Sequence, residues 1–303
     1  MKKQPLTQGF NSAKGDRPAC LDDVIAFFDG TKVDRSTQAV GRILSMLKER
    51  TSTDFTPYKP SLIARQLDNR MKAVSVGNLQ EYADYSADSS DEIQTLRREL
   101  LIGVTGFFRD PKAFARLQSA YLPLLIERPD NNATRIWVAG CATGEEVYTI
   151  AIAASECQSR AQSPHEIKIF ATDIDADAIA TAKRGLYPEK ANFALEQHLL
   201  SKYFHREENE YRIDDSLREM ITFSQHNLLT DPPISHVNLI SCRNLLIYLR
   251  PIAQQRILHA FAASLNPGGI LFLGTSETVG DSFDLFALAD QQEKIYRLRS
   301  SQA

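Results

Sequence analysis

Residues 136–175 hold a strand, a glycine turn, a helix and a second strand that ends on an acid, an order that few folds accommodate. Ile136 to Ala139 is a hydrophobic run broken at Gly140. The chain then passes a turn containing Gly144 and enters an apolar helix from about Val147. IKIFATDID (167–175) follows, and its hydrophobic part ends on Asp173. Doubly wound α/β sheets hold a nucleoside in this way: the backbone approaches the ligand at the glycines, and the acid accepts from the ribose hydroxyls. A nucleoside-cofactor site is therefore expected here.

Glu145 and Glu146 narrow the choice of cofactor. A turn built for pyrophosphate would avoid two carboxylates, because phosphate already brings negative charge to the helix N-terminus. S-adenosylmethionine carries an ammonium and a sulfonium and no phosphate, so charge complementarity favours it. Asp173 reads as the ribose acid, with a helix N-cap as the competing role. Asp175 can serve as that cap instead, which leaves Asp173 for the ribose.

From 134 to 298 strands alternate with helices, which implies a mainly parallel sheet. The expected strands are Arg135–Ala139, Lys168–Thr172, Ile221–Ser224, Val237–Ser241, Ile270–Gly274 and Lys294–Arg299. The expected helices are Glu146–Ser155, Ala176–Arg184, Pro251–Leu265 and a short segment near Ser282–Leu288, with a turn at Pro267-Gly268-Gly269. The interval 186–220 breaks the alternation with a short helix (about Ala194–Lys202) and a hairpin containing YRID (211–214), a small insertion in the sheet domain. Residues 20–127 read as helical throughout, with apolar stripes at Val40, Ile43, Leu44, Leu47; at Leu62, Ile63, Leu67, Met71; and at Leu96, Leu100, Leu101, Val104. The organisation expected is a disordered tail (1–18), a helical domain with its linker helix (19–127) and a cofactor-binding sheet domain (128–303).

Several function classes fall away. A net charge of -3 gives no overall pull toward nucleic acid or anionic lipid. No apolar run approaches the roughly 20 residues of a membrane span, and the two early lysines precede no apolar signal core. The four cysteines, Cys20, Cys141, Cys157 and Cys242, form no CxxC pair and have no His at zinc spacing, so neither disulfides nor a metal is expected. A cytoplasmic monomer is the natural expectation.

Three further segments stand out. In VTGFFRDP (104–111), Thr105 and Arg109 share a face if the segment is helical, while Phe107 and Phe108 bury elsewhere; a surface Arg paired to a carboxylate is the alternative. SCRNLLIYL (241–249) follows the fourth strand at the edge where such sheets bind ligands. Its Tyr248 reads equally as a site residue and as a core aromatic, and Cys242 reads as a buried thiol rather than a nucleophile. YKPSLIARQLDNRMK (58–72) sets Lys59, Arg65, Arg70 and Lys72 around an apolar stripe, either a solvated face or a docking face.

Taken together, VTGFFRD, GCATGEEVYTIA, FATDIDADAIATAKRGLY, NLL at 227–229, SCRNLLIYL and LNPGGILFLGTSE (265–277) resemble the chemotaxis receptor glutamate methyltransferases, the CheR family, over about residues 35 to 300. The resemblance implies a class I fold, a Rossmann-like doubly wound sheet behind a small all-α domain, with an inserted β-subdomain. It implies methyl transfer from S-adenosylmethionine to glutamates of chemoreceptor helical bundles, leaving S-adenosylhomocysteine. The family's catalytic residues fall on Arg109 and Tyr248, and its cofactor contacts on Thr105, Arg109, Gly140, Glu146, Asp173, Asn227, Leu228, Cys242 and Arg243. Some members have Asn where this chain has Gly103, so one polar cofactor contact there is either missing or replaced by backbone. Lys59, Arg65 and Arg70 are the implied contacts to an acidic receptor surface. The hairpin HREENEYRI (205–213) is short and glycine-free, like that of members that do not dock on a receptor's C-terminal pentapeptide.

Overall fold

The computed structural model describes residues 17–127, 133–161, 165–189 and 197–299; the expected tail lies almost wholly outside them. The chain divides into two compact units, one ending at Leu101 and one beginning at Ile102.

The first unit contains α1 (Leu21–Asp29), α2 (Arg35–Thr51), α3 (Pro60–Ala73), α4 (Leu79–Asp88) and α5 (Ser90–Leu100). α2 opens on a reciprocal cap: Asp34 accepts from the Thr37 N–H while the Thr37 hydroxyl accepts from the Asp34 N–H. Val40, Ile43, Leu44 and Leu47 are buried, as are Leu62, Ile63, Leu67 and Met71, so both stripes serve the unit's own core.

The second unit begins with α6 (Pro111–Arg116), one π-helical turn and α7 (Leu122–Ile126). It continues through β1 (Thr134–Ala139), α8 (Glu145–Ala161), β2 (Ile167–Asp173), α9 (Ala176–Arg184), β3 (Leu186–Pro188), α10 (Gln197–Tyr203), β4 (Phe204–Glu207), β5 (Glu210–Ile213), α11 (Asp215–Glu219), β6 (Ile221–Gln225), β7 (Val237–Cys242), α12 (Pro251–Ser264), β8 (Leu265–Leu273), β9 (Phe286–Asp290) and β10 (Ile295–Leu298). The boundary thus falls near residue 101 rather than at 127. The reason is burial: Phe114, Leu117, Leu122 and Ile126 pack in one cluster with Ile136, Val138 and Ile150.

The main sheet has the order β6-β2-β1-β7-β8-β10-β9, parallel from β6 to β8 and antiparallel at β10 and β9. β7 is buried along its whole length, as a central parallel strand should be. Side chains alternate along β1: Ile136 and Val138 join the α8 cluster, while Trp137 meets Phe261 of α12 edge-on at 5.4 Å. The chain runs outward from β1 through β2 to β6 and then returns to β7. The strand tips therefore part between β1 and β7, the switch point where such sheets take their ligands. β3, β5 and β4 form the inserted three-stranded antiparallel subdomain.

Two elements differ from expectation. Pro267-Gly268-Gly269 lies within β8 as a bulge, since the pairing jumps from Val237↔Leu265 to Leu239↔Ile270. Of the helix expected at Ser282–Leu288, only a 3-10 turn at Ser282–Asp284 forms. Phe286–Asp290 is instead the sheet's edge strand, held by β10.

Candidate cofactor and active site

The turn after β1 is shaped by left-handed backbone: φ is +76° at Gly140, +45° at Ala142 and +100° at Gly144. A Cβ on Gly144 would stand 2.8 Å from the Ala182 Cβ and 2.9 Å from the Tyr187 hydroxyl, so the position has no room for a side chain. The Tyr187 hydroxyl donates to the Thr143 carbonyl at 2.6 Å and braces the turn. The two following glutamates part company. Glu145 accepts from the Thr143 hydroxyl at 2.6 Å. Glu146, its side chain 16% exposed, accepts from the Ser241 hydroxyl at 2.7 Å and lies 3.5 Å from the Arg243 guanidinium. Burial raises the pKa of Glu146, and Arg243 is the main opposing influence. Only Glu146 of the pair is tied to the end of β7.

Asp173 stands at the tip of β2. One of its oxygens accepts from the Ala142 N–H at 2.8 Å and the other from the Asp175 N–H at 2.9 Å. Burial raises its pKa and these backbone donors oppose the rise. Each oxygen keeps acceptor capacity for a further hydroxyl. Asp175 caps α9 by accepting from the Asp177 N–H, leaving Asp173 outside the cap. The His226 N–H donates to the Asp173 carbonyl at 2.9 Å, which sets Asn227 and Leu228 beside the acid. Asn227 is shaped by its own turn: its side chain accepts from the Leu229 N–H and its N–H donates to Asp231.

The segment from Gly103 to Asp110 is a loop, not a helix, so Thr105 and Arg109 do not share a helical face. Phe108 and Asp110 adopt φ of +50° and +60°, a left-handed conformation uncommon for side-chain-bearing residues. Two contacts distant in sequence hold them there. The Phe108 N–H donates to the buried Thr149 hydroxyl at 3.0 Å, and Asp110 accepts from Arg243 at 2.8 Å. Phe107 buries against Tyr187 and Phe204. Arg109 is exposed and bonds the Val104 carbonyl at 2.9 Å.

Arg243 is the hub beneath this loop. Its side chain is 0% exposed and also donates to the Arg109 and Leu273 carbonyls, and its guanidinium lies 4.8 and 4.6 Å from the rings of Phe114 and Phe272, which meet each other edge-on. Cys242 is fully buried and burial drives its pKa well up, which leaves it a thiol. Tyr248 is half-buried in a 3-10 turn, Leu246–Tyr248. Asp110, Thr149 and Glu277 were missed as site-building residues. Asp110 directly follows Arg109 and Glu277 closes the last motif, but Thr149 gave no signal in an apolar helix.

In the helical unit, Arg70 grips Glu92 with two nitrogens at 2.8 and 2.6 Å and reaches Glu99 at 2.9 Å. Glu92 also accepts from the Tyr82 hydroxyl at 2.6 Å. Arg65 is exposed and Lys59 half-buried at the start of α3. Among the described residues, no group of three or more His, Cys, Asp or Glu is placed to hold a metal ion, and no helix is long and apolar enough to cross a membrane.

Residues 103–295 match the family model for the CheR methyltransferase SAM-binding domain, and residues 38–101 match the CheR methyltransferase all-alpha domain. The chain belongs to the CheR methyltransferase family. It is 30% identical over 273 residues to the chemotaxis protein methyltransferase of Salmonella typhimurium, covering 86% of this chain and 90% of that one. It is 29% identical over 248 residues to the chemotaxis protein methyltransferase of Borreliella burgdorferi, covering 79% and 88%. An uncharacterized 104.1 kDa protein of Rhodobacter capsulatus is 38% identical over 279 residues, 91% of this chain but only 29% of that protein. As a CheR-family member the chain is a SAM-dependent methyltransferase with the class I fold. The residues present fit that cofactor: a buried carboxylate at Glu146 for a cation, and an acid with spare acceptor capacity at Asp173 for hydroxyls.

Proposed function

We propose that this methyltransferase converts glutamate side chains of chemoreceptors to methyl esters, producing S-adenosylhomocysteine, as a cytoplasmic monomer acting on the receptor's helical bundle. The observation that carries this reading is the exposed Arg109 guanidinium, standing on a strained loop that Thr149 and Arg243 lock to the Glu146 helix. The names of the Salmonella and Borreliella relatives support the chemosensory setting.

When bound, the cofactor supplies a methyl group on a sulfonium, an electrophile open to in-line attack. A glutamate side chain, with a pKa of about 4.3, is already ionised at neutral pH and needs no general base. Alignment is what remains, and holding two groups in line can contribute on the order of 7–11 kcal/mol. Arg109 is suited to orient the acceptor carboxylate through its planar donor fork. Full neutralisation would blunt the nucleophile, so orientation is its role. Tyr248 donates to the substrate. Glu146 holds the cofactor's ammonium and Asp173 its ribose, with Asn227 and Leu228 alongside. Gly103, Thr105 and Gly140 offer further contacts along the two loops. The enclosed side chains of Cys242 and Arg243 act through Glu146 and through backbone. Lys59 and Arg65 supply the receptor contact, while Arg70 is committed to Glu92 and Glu99. The two-residue turn between β4 and β5 supports independence from a receptor's C-terminal pentapeptide.

The test is the lability of the product. A receptor labelled from methyl-labelled S-adenosylmethionine should release volatile methanol in mild base; label that survives base would overturn the carboxylate acceptor.

A further inference from the structure

Glu277 is 3% exposed, and its carboxylate accepts from backbone N–H groups of two neighbouring loops. One oxygen accepts from the Asn244 N–H and the Gly274 N–H, both at 2.8 Å, and the other from the Ile247 N–H at 3.3 Å. The carboxylate is therefore met by three backbone donors, two from the loop after β7 and one from the end of β8. Gly274 is shaped to allow this: a Cβ there would stand 2.8 Å from the Glu277 carboxylate and 2.9 Å from the Asn244 nitrogen. Asn244 itself is held left-handed at φ +59°. Closing the short turn from Gly274 to Glu277 requires none of this, since the Glu277 N–H already bonds the Gly274 carbonyl at 2.9 Å.

Ile247 is the middle residue of the 3-10 turn that ends on Tyr248. We infer that Glu277 is a positioning residue: its carboxylate fixes the turn that presents Tyr248 to the acceptor, and it acts on methyl transfer through that tyrosine. The inference rests on the proposed role of Tyr248. Glu277→Gln probes it selectively. The amide carbonyl can still accept from Asn244 and Gly274, but the NH₂ group then opposes the Ile247 N–H, donor against donor. Glu277→Asp keeps the charge but is one methylene too short to reach both loops.

The experiment uses the full chain, S-adenosylhomocysteine titrated by calorimetry, hydrogen exchange over residues 241–249, and methyl transfer to a receptor signalling domain. For Glu277→Gln we expect S-adenosylhomocysteine affinity within about threefold of wild type, faster exchange at Ile247, and kcat lower by roughly 10- to 100-fold. Glu277→Asp should not restore the rate. In a Tyr248→Phe background the Gln substitution should cost less than about twofold more, because the two act as one unit. A wild-type rate for Glu277→Gln, or losses that multiply in the double variant, would overturn the inference while leaving the role of Tyr248 intact. A wild-type rate for Tyr248→Phe alone would remove that role, and the inference with it.

Discussion

Arg243→Met should destabilise the sheet unit by about 3–5 kcal/mol, the usual consequence of removing one partner from a buried ion pair. The guanidinium is 0% exposed and bonds Asp110 at 2.8 Å, Glu146 at 3.5 Å and the carbonyls of Arg109 and Leu273 at 3.4 Å. The Asp110 side chain is 36% exposed and recovers water when its partner leaves, so its share is small. Glu146 is 16% exposed and cannot, so most of the loss falls on it. Met keeps apolar contact with Phe114 and Phe272, which limits the cavity contribution. For a unit of about 200 residues, each kcal/mol is worth roughly 2–4 °C, so Tm should fall by about 6–20 °C in scanning calorimetry. Adding Glu146→Gln should recover part of the loss, because the stranded charge is then gone. The pH dependence has a definite sign. Burial already holds the Glu146 pKa above its usual 4.5, and loss of Arg243 pushes it further up. Between 4.5 and that raised value the folded variant binds a proton that the unfolded chain does not, so stability rises as pH falls through this window. The gap to wild type should therefore narrow on acidification. A Tm within about 2 °C of wild type, with no narrowing at low pH, would refute the assignment of Arg243 as the buried counter-charge.

Arg109→Ala should abolish methyl transfer while leaving S-adenosylhomocysteine affinity within a few-fold; unchanged turnover would remove the residue from the mechanism. Cofactor affinity should fall on acidification at pH values above the usual carboxylate range, because Glu146 must be ionised to hold an ammonium and its pKa is raised by burial. Calorimetry in buffers of different ionisation enthalpy should show proton release on binding in that window, and a flat affinity would count against Glu146. Deleting a receptor's C-terminal pentapeptide should leave the methylation rate unchanged; a large loss would show that the β4–β5 hairpin was misjudged.

The backbone framework of the candidate site was legible because its signals are local. A strand that stops at Gly140, a helix that begins with Glu145 and Glu146, and a strand that ends on Asp173 can be read within forty residues. That Asp175 rather than Asp173 caps α9 followed from where each falls relative to that helix. The loop carrying Arg109 was not legible, since its left-handed residues are held by Thr149 and Arg243, 41 and 133 residues away. Spacing alone suggested a helical face that strain and tertiary contacts replace. β9 escaped notice for a related reason: an edge strand has one partner, and FALAD lacks the alternation of a half-buried strand. Glu277 closes the last motif, but its contacts were hidden because its partners are backbone N–H groups, which leave no mark in a sequence.

The Thr149 contact has a consequence for how such enzymes can change. Because the arginine loop begins after Leu101 and is fastened to the helix that carries Glu146, both residues proposed to align the reaction belong to one compact unit. On the proposal that the helical unit's surface selects the target, that surface is then free to drift or be exchanged between lineages without disturbing the trajectory of the transferred carbon.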